Sequence, residues 1–244
     1  MLIPKINFQK EITRIIDFIA KTLKEQGFEK IVLGVSGGVD SMTVYYLLKR
    51  VVPQNKIFAF HLYYFNPDKN ILDPNINLLT IKKTVDEIIK NLKIDPKDKL
   101  RIGNIIARVR MIHLHDLAKK NNALVCGTEN KSERQLGYFT RFGDAASDLE
   151  PMQHLYKTQV NELAKELCVP KLIIEQKPTA GLWIGQTDES EFGFSYLEAD
   201  QVLYLYFDKK MSIEEILKLG FKNTKKIIAF AKKNQFKQNT PYRL

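Results

Sequence analysis

A β-branched run, Lys30-Ile-Val-Leu-Gly-Val35, passes through Ser36-Gly-Gly-Val-Asp-Ser41 straight into a helical pattern over residues 42–50. A short apolar run that ends in a glycine turn and feeds a helix is the first half of a parallel βαβ unit. Ile57-Phe-Ala-Phe-His-Leu62 and Ala123-Leu-Val-Cys126 read as two further buried strands. Apolar spacing at Ile12, Ile15, Ile16, Ile19 and Leu23, stopped by Gly27, predicts a helix over residues 8–26, and another is placed over 102–120. Strands alternating with helices of this length predict an α/β fold, doubly wound, with a mainly parallel sheet flanked by helices and further helices at the C-terminal end. The 244 residues are 44% apolar, with no repeat and no Ser/Gly linker, so residues 1–244 read as one domain.

Several classes are excluded. Cys126 and Cys168 form no CxxC pair and no metal-ligand spacing, which argues against a disulfide scaffold or a zinc site and suits a reducing compartment. Lys5, Lys10 and Glu11 interrupt the N-terminus before a leader-like apolar run develops, and no stretch nears the roughly 18 apolar residues of a membrane span. The expectation is a cytoplasmic protein without a membrane partner. The net charge of +10 is concentrated from Lys209 onward, where ten basic residues face two acidic ones. A Lys-rich terminal region of this kind reads as solvated helix faces rather than a nucleic-acid surface.

In a doubly wound sheet ligands sit beyond the carboxyl ends of the strands. Here those ends carry Ser36–Ser41 and the turn Gly127-Thr-Glu-Asn-Lys-Ser-Glu133. Gly37 and Gly38 let the backbone take positive φ and approach an anion, while the following helix N-terminus and the hydroxyls of Ser36 and Ser41 add donors. That combination is a phosphate cradle. It lacks the lysine of the GxxxxGK[ST] loop and carries Asp40, which would repel phosphate unless a cation such as Mg²⁺ intervened. Glu133 can face the same crevice as a second oxygen ligand, although an acid in the first turn of a helix also complements its dipole.

SGGxDS between a strand and a helix resembles the loop of the ATP pyrophosphatases, which cleave ATP to AMP and pyrophosphate. Further blocks follow: Gly103-Asn-Ile-Ile-Ala-Arg-Val-Arg-Met111, Gly127–Glu133, Gly137-Tyr-Phe-Thr-Arg-Phe-Gly-Asp144, Leu155-Tyr-Lys-Thr-Gln-Val160, Pro178-Thr-Ala-Gly-Leu-Trp183 and Gln186-Thr-Asp-Glu189. In this order they resemble the signature blocks of the ammonia-dependent NAD⁺ synthetases, over residues 30–200 and more weakly to the C-terminus. The resemblance implies an adenine nucleotide alpha hydrolase-like fold, a homodimer with its active site near the subunit interface, and Mg²⁺ as cofactor with ATP as co-substrate. The implied reaction is deamido-NAD⁺ + ATP + NH₃ → NAD⁺ + AMP + pyrophosphate.

By the same resemblance Gly34, Val35, Ser36, Gly37, Gly38, Val39, Asp40, Ser41, Thr128, Lys157 and Thr179 bind ATP and pyrophosphate, and Asp40 and Lys157 are catalytic. Asp40 and Glu133 hold Mg²⁺. Arg108, Arg141, Asp148, Phe236 and Lys237 bind deamido-NAD⁺, with Arg141 standing where the family commonly has Lys and Phe236 where it often has His. Independent physical readings accompany these roles. A cation opening a helix, as Lys157 does, needs an anionic partner. Thr179 after Pro178 is also a turn stabiliser. Arg108 and Arg110, two apart on a helix, face different ways, and Arg110 reads as a surface arginine. Asp144 reads as a loop holder. The four histidines read as structural or solvent-facing, Trp183 as a stacking residue or an apolar anchor, and both cysteines as packing residues. Residues 181–193 and 65–74 are candidate mobile loops, the first a lid.

Two other classes use similar parts. A transfer-RNA-modifying pyrophosphatase would share the loop and use the basic C-terminal region, but for thiolation it needs cysteines placed otherwise than Cys126 and Cys168. A non-catalytic nucleotide module would keep the glycines and need neither Asp40 nor Glu133. Alanine at Asp40 or at Glu133 is therefore expected to abolish Mg²⁺-dependent release of AMP from ATP, measured chromatographically; unchanged release from either variant would favour the binding module.

Overall fold

The computed structural model describes residues 2–67 and 73–242. Four parallel strands, β1 (Ile31–Gly34), β2 (Ile57–Tyr63), β3 (Asn77–Thr80) and β4 (Leu124–Cys126), lie in the order β3-β2-β1-β4. The chain starts at the inner strand β1, winds outward through β2 and β3, then returns to place β4 against the other side of β1. Sequence alternation predicts β1, β2 and β4. It misses β3, an edge strand whose Asn77, Leu78 and Thr80 are exposed and which therefore has no buried periodicity.

Side-chain alternation in β1 explains the layers. Ile31 and Leu33 point to one face, where they join Ile12, Ile15 and Ile19 of α1 (Phe8–Gln26) and the apolar residues of α2 (Val39–Leu48) and α6 (Lys157–Glu166). Val32 points to the other face with Val125, against Ala118 of α4 (Lys99–Asn121). Beyond β2, the helix α3 (Lys82–Asn91) shares a smaller core with α4 through Val85, Ile106 and Val109. The helix α1 keeps its predicted bounds: the Asn7 side chain accepts from the Lys10 amide at 3.1 Å, and Gly27 ends it in the left-handed conformation. The helix α2 is apolar on nearly every side because α1 and α6 enclose it.

A second helical layer carries its own core. The helices are α5 (Lys131–Leu136), α8 (Asp188–Phe192), α9 (Tyr196–Leu203), α10 (Ile213–Lys218) and α11 (Thr224–Asn234), whereas α7 (Lys171–Ile174) packs on α6 and places Ile173 in the first core. Leu136, Phe192, Tyr196, Val202, Ile216 and Ile227 converge there, with Phe192 edge-on to Tyr138 at 4.5 Å between ring centres. The segment over 181–193 is thus only partly a loop. Its second half is the helix α8, held by the buried Asp188, whose carboxylate accepts from the Tyr138 hydroxyl at 3.2 Å and the Tyr196 hydroxyl at 3.1 Å. Of the other candidate loop, residues 68–72 lie outside the described residues. Cys126 is buried as expected, but Cys168 is exposed at φ +59° just beyond α6, so it does not pack.

Ile19 has no exposed surface and sits between α1 and the sheet. Ile19→Ala is expected to cost about 2–5 kcal/mol in urea-induced unfolding while leaving the circular-dichroism spectrum of the folded protein unchanged.

Candidate active site

The order β3-β2-β1-β4 places a switch point between β1 and β4, where the connections leave in opposite directions and a crevice opens. Both sequence-predicted turns lie there. After β1 the helix α2 begins at Val39, earlier than the pattern suggests, so Asp40 and Ser41 belong to its first turn. Only Gly37 takes a positive φ, at 88°; Gly38 caps the helix in extended conformation at φ −80°. The expectation of two left-handed glycines is corrected to one, because a single reversal suffices to turn β1 into α2. The loop is braced by its own hydroxyls. Ser36 Oγ lies 3.0 Å from Ser41 Oγ and accepts from the Gly38 amide at 3.2 Å, while Ser41 Oγ accepts from the Ser36 amide at 3.1 Å. Gly34 and Val35 link β1 to this loop, and the Val35 amide donates to Phe60 O at 2.8 Å.

After β4 comes α5, whose cap is reciprocal. Asn130 Oδ1 accepts from the Glu133 amide at 3.0 Å, and Glu133 Oε2 accepts from the Asn130 amide at 3.3 Å. Glu133 thus does what a first-turn acid does, and its Oε1 is left toward the crevice. Asn130 then reaches across, its Nδ2 donating to Asp40 Oδ1 at 3.0 Å. Sequence reasoning does not single out Asn130; the N-x-x-E spacing of a capping box was the available signal.

Lys157 joins the two turns. It is buried at the start of α6, donates to Asp40 Oδ2 and lies 4.0 Å from Glu133 Oε1. Burial disfavours its charge, yet Asp40 and Glu133 together outweigh that and hold the ammonium above the ordinary lysine range. Burial, reinforced by the Asp40 charge, pushes Glu133 well above the usual carboxylate range. The anionic partner demanded by Lys157 is supplied by the chain's own carboxylates. Thr128 is half-buried in the turn between β4 and α5.

A second cluster forms away from this triad. Arg108 on α4 donates to Arg141 O at 3.3 Å, and the Arg141 guanidinium lies 5.5 Å from the centre of the Phe236 ring. Lys237 Nζ donates to Gly137 O at 2.8 Å and Phe139 O at 3.1 Å, and burial lowers its pKa. Four residues from distant parts of the sequence are thereby gathered. The other two candidates stand in local structure. Asp148 Oδ2 accepts from the Val125 amide at 2.7 Å, at the edge of β4, and the exposed Thr179 hydroxyl accepts from the Gly181 amide at 3.1 Å in a turn. Asp144 holds its loop as expected, through the Thr140 amide at 2.9 Å. Arg110 corrects the reading of a surface arginine: it is drawn inward, its Nε donating to Leu62 O at 3.0 Å at the end of β2. Trp183 is half-buried and lines an apolar groove with Tyr64, Phe65, Ile102, Leu182 and Ile184. His61 is structural, its Nδ1 lying 2.7 Å from Val35 O.

Parallel strands with a glycine-serine loop at the switch point define a nucleotide-binding α/β protein. The comparisons carry this further. The family model described as NAD synthase matches residues 11–241. An NH₃-dependent NAD⁺ synthetase of Fusobacterium nucleatum is 40% identical, with 97% of this chain and 95% of that protein aligned. One from Pyrococcus furiosus is 43% identical over 87% of this chain and 84% of its own. Among solved structures, the NH₃-dependent NAD synthetase of Campylobacter jejuni, in complex with nitrate, has a TM-score of 0.80 at 29% identity, covering 98% of this chain and 100% of that one. An NMN synthetase of Francisella tularensis has a TM-score of 0.83 at 27% identity, covering 98% and 99%. The chain belongs to the NAD synthase family.

Two acids unforeseen in the sequence lie beside the turn after β4. Glu129 is buried with Oε1 unpartnered, and its amide donates to Glu150 Oε2 at 2.9 Å. A Cβ on Gly127 would stand 1.8 Å from Glu150 Oε1, so glycine leaves room for that carboxylate. Burial pushes Glu129 up to about 7 and Glu150 up to about 8. Both folded values exceed an unfolded glutamate's pKa of about 4.3. The pair therefore binds extra protons on folding and stabilises the fold at low pH, and that stability is lost as pH rises through about 7 to 8. The Tm is expected to fall between about pH 5 and about pH 8, and combined Glu129→Gln and Glu150→Gln substitution to make that fall smaller in circular-dichroism melts.

Proposed function

We propose that the chain catalyses the ATP-driven amidation of deamido-NAD⁺ to NAD⁺ with ammonia, through an NAD-adenylate intermediate, releasing AMP and pyrophosphate. The carrying observation is the convergence of Asp40, Lys157 and Glu133 at the switch point, directly beside a loop whose amides and hydroxyls suit phosphate. Membership of the NAD synthase family and extensive alignment with NH₃-dependent NAD⁺ synthetases support the substrate assignment.

The residues divide the work. The α2 N-terminus, with Ser36, Gly37, Gly38, Val39 and Ser41 around it, would receive the β- and γ-phosphates, Thr128 and Thr179 contribute further ATP contacts, and Lys157 balances charge on the departing pyrophosphate. Asp40 and Glu133 suit Mg²⁺: they are two hard oxygen donors that meet on Lys157, with no third His, Cys, Asp or Glu completing a cage among the described residues. Mg²⁺ commonly uses one or two carboxylates and leaves its other positions to phosphates and water. When bound it would neutralise phosphate charge. Arg108, Arg141, Asp148, Phe236 and Lys237 would orient deamido-NAD⁺ so that its nicotinate carboxylate faces the α-phosphorus of ATP. No protein nucleophile is required, because the substrate carboxylate attacks directly and ammonia then displaces AMP.

An acyl adenylate must be kept from water. We infer a homodimer that closes the site: Leu100 and Ile112, 64% and 57% exposed, share the i, i+4 ridge of α4 with Arg108, so a second copy seated there would cover the substrate cluster.

Incubation with ATP, Mg²⁺, deamido-NAD⁺ and ammonium should give equal yields of NAD⁺ and AMP, both lost when deamido-NAD⁺ is omitted. AMP formation that requires transfer RNA, or preferential amidation of nicotinate mononucleotide, would overturn the substrate assignment.

A further inference from the structure

The two short first turns that carry Glu133 and Lys157 are joined from beneath by a residue with no surface. Asp200, on α9 in the second helical layer, is fully buried. Its Oδ1 accepts from the Ser132 hydroxyl, and its Oδ2 accepts from the Thr158 amide at 2.8 Å. Ser132 Oγ in turn accepts from the Lys157 amide at 2.8 Å. Ser132 precedes Glu133 in the first turn of α5, while Lys157 and Thr158 are the first two residues of α6.

A helix start leaves its first amides without intrahelical partners. In α6 the residue preceding Lys157 is Tyr156, whose side chain supplies no such cap. The Asp200–Ser132 pair takes that place from outside the helix. A carboxylate at the start of α6 also offsets the unfavourable meeting of a lysine with the positive end of the helix dipole. The arrangement is reciprocal: one oxygen of Asp200 fixes the turn bearing Glu133, the other fixes the turn bearing Lys157, and the Ser132 hydroxyl ties the two. The Lys157 ammonium can satisfy Asp40 and Glu133 together only while these backbones keep their separation.

We propose that Asp200 is a positioning residue for the adenylation site, acting through Ser132 to lock the first turns of α5 and α6 into one unit. This rests on the functional reading above. Asp200 touches no substrate. It sets where Lys157 and Glu133 stand, so its effect falls on the chemical step rather than on substrate capture.

The test compares full-length Asp200→Asn, Ser132→Ala and Ser132→Thr with the parent enzyme, each confirmed as folded by circular dichroism. Asparagine offers one acceptor and one donor where aspartate offers two acceptors, so with its oxygen on the Thr158 amide its Nδ2 faces Ser132 Oγ, and the Ser132 hydroxyl proton loses its acceptor. Asp200→Asn should lower kcat for NAD⁺ formation by about 10- to 100-fold, with KM for ATP and deamido-NAD⁺ changed by less than about threefold, as misplacement by about 1 Å does. Ser132→Ala deletes only one oxygen and leaves the Asp200 bond to Thr158; a loss of about tenfold is expected, largely recovered by Ser132→Thr. Adding Asp200→Asn to Lys157→Met should bring a smaller loss than Asp200→Asn brings alone, because only the positioning of Glu133 is then left to lose. Folded Asp200→Asn or Ser132→Ala with the parent kcat and only a lower Tm would overturn the proposal, as would additive losses in the double variant. A parent enzyme that forms no NAD⁺ would instead sink the functional reading.

Discussion

The buried Lys157 ammonium, shared by Asp40 and Glu133, is the contact on which the rest of the site depends. Each partner comes from a different connection: the turn after β1, the turn after β4, and the start of α6. Removing a lysine from water costs several kcal/mol, and only well-placed opposite charges offset it. Two carboxyl groups face this one ammonium, and burial beside Asp40 holds Glu133 toward its neutral form. The cluster is thereby closed on itself, with Lys157 as the shared partner of both acids.

The winding of the sheet makes this meeting possible. Because β4 returns to the opposite side of β1, the two turns diverge and leave a crevice between them. Asn130 spans it, joining the α5 cap to Asp40, so the position of the second turn is set by the first. A cap that would merely end an exposed helix elsewhere becomes here part of the site's framework.

Behind the crevice, α8 and α9 of the second helical layer brace the site from outside it. Asp188 accepts hydroxyls from Tyr138 and Tyr196, and the Lys157 ammonium lies 5.6 Å from the Tyr196 ring centre. The aromatic core around Phe192 holds α8 and α9 in place, and through them the polar groups that brace α5 and α6. Packing in this layer and electrostatics in the crevice are therefore connected through a few buried carboxylates. Lys225, Lys232 and Lys233 of α11 are exposed, as expected of a Lys-rich terminal region, while Lys237 turns inward to the carbonyls of Gly137 and Phe139.

Local physics made part of this legible in the sequence. The period of α1, the β-branched run of β1 and the glycine-serine turn fix their own conformations, so they were readable with the right bounds to within a few residues, as were Asp40, Glu133 and Lys157 as charged residues at strand and helix ends. The family blocks named candidate substrate contacts but not their arrangement. The edge strand β3 was hidden because exposure erases its pattern, and Arg110 because a helix position alone does not reveal that β2 offers a carbonyl beside it. Glu129, Glu150 and Asp200 were invisible for the same reason: whether an acid is solvated or buried depends on elements far away in the chain. Sequence determined which segments could be strands, helices and phosphate-binding turns, since those depend on neighbours in the chain. Only the tertiary structure decided which charges share one desolvated space, because burial and distance are properties of the packed whole.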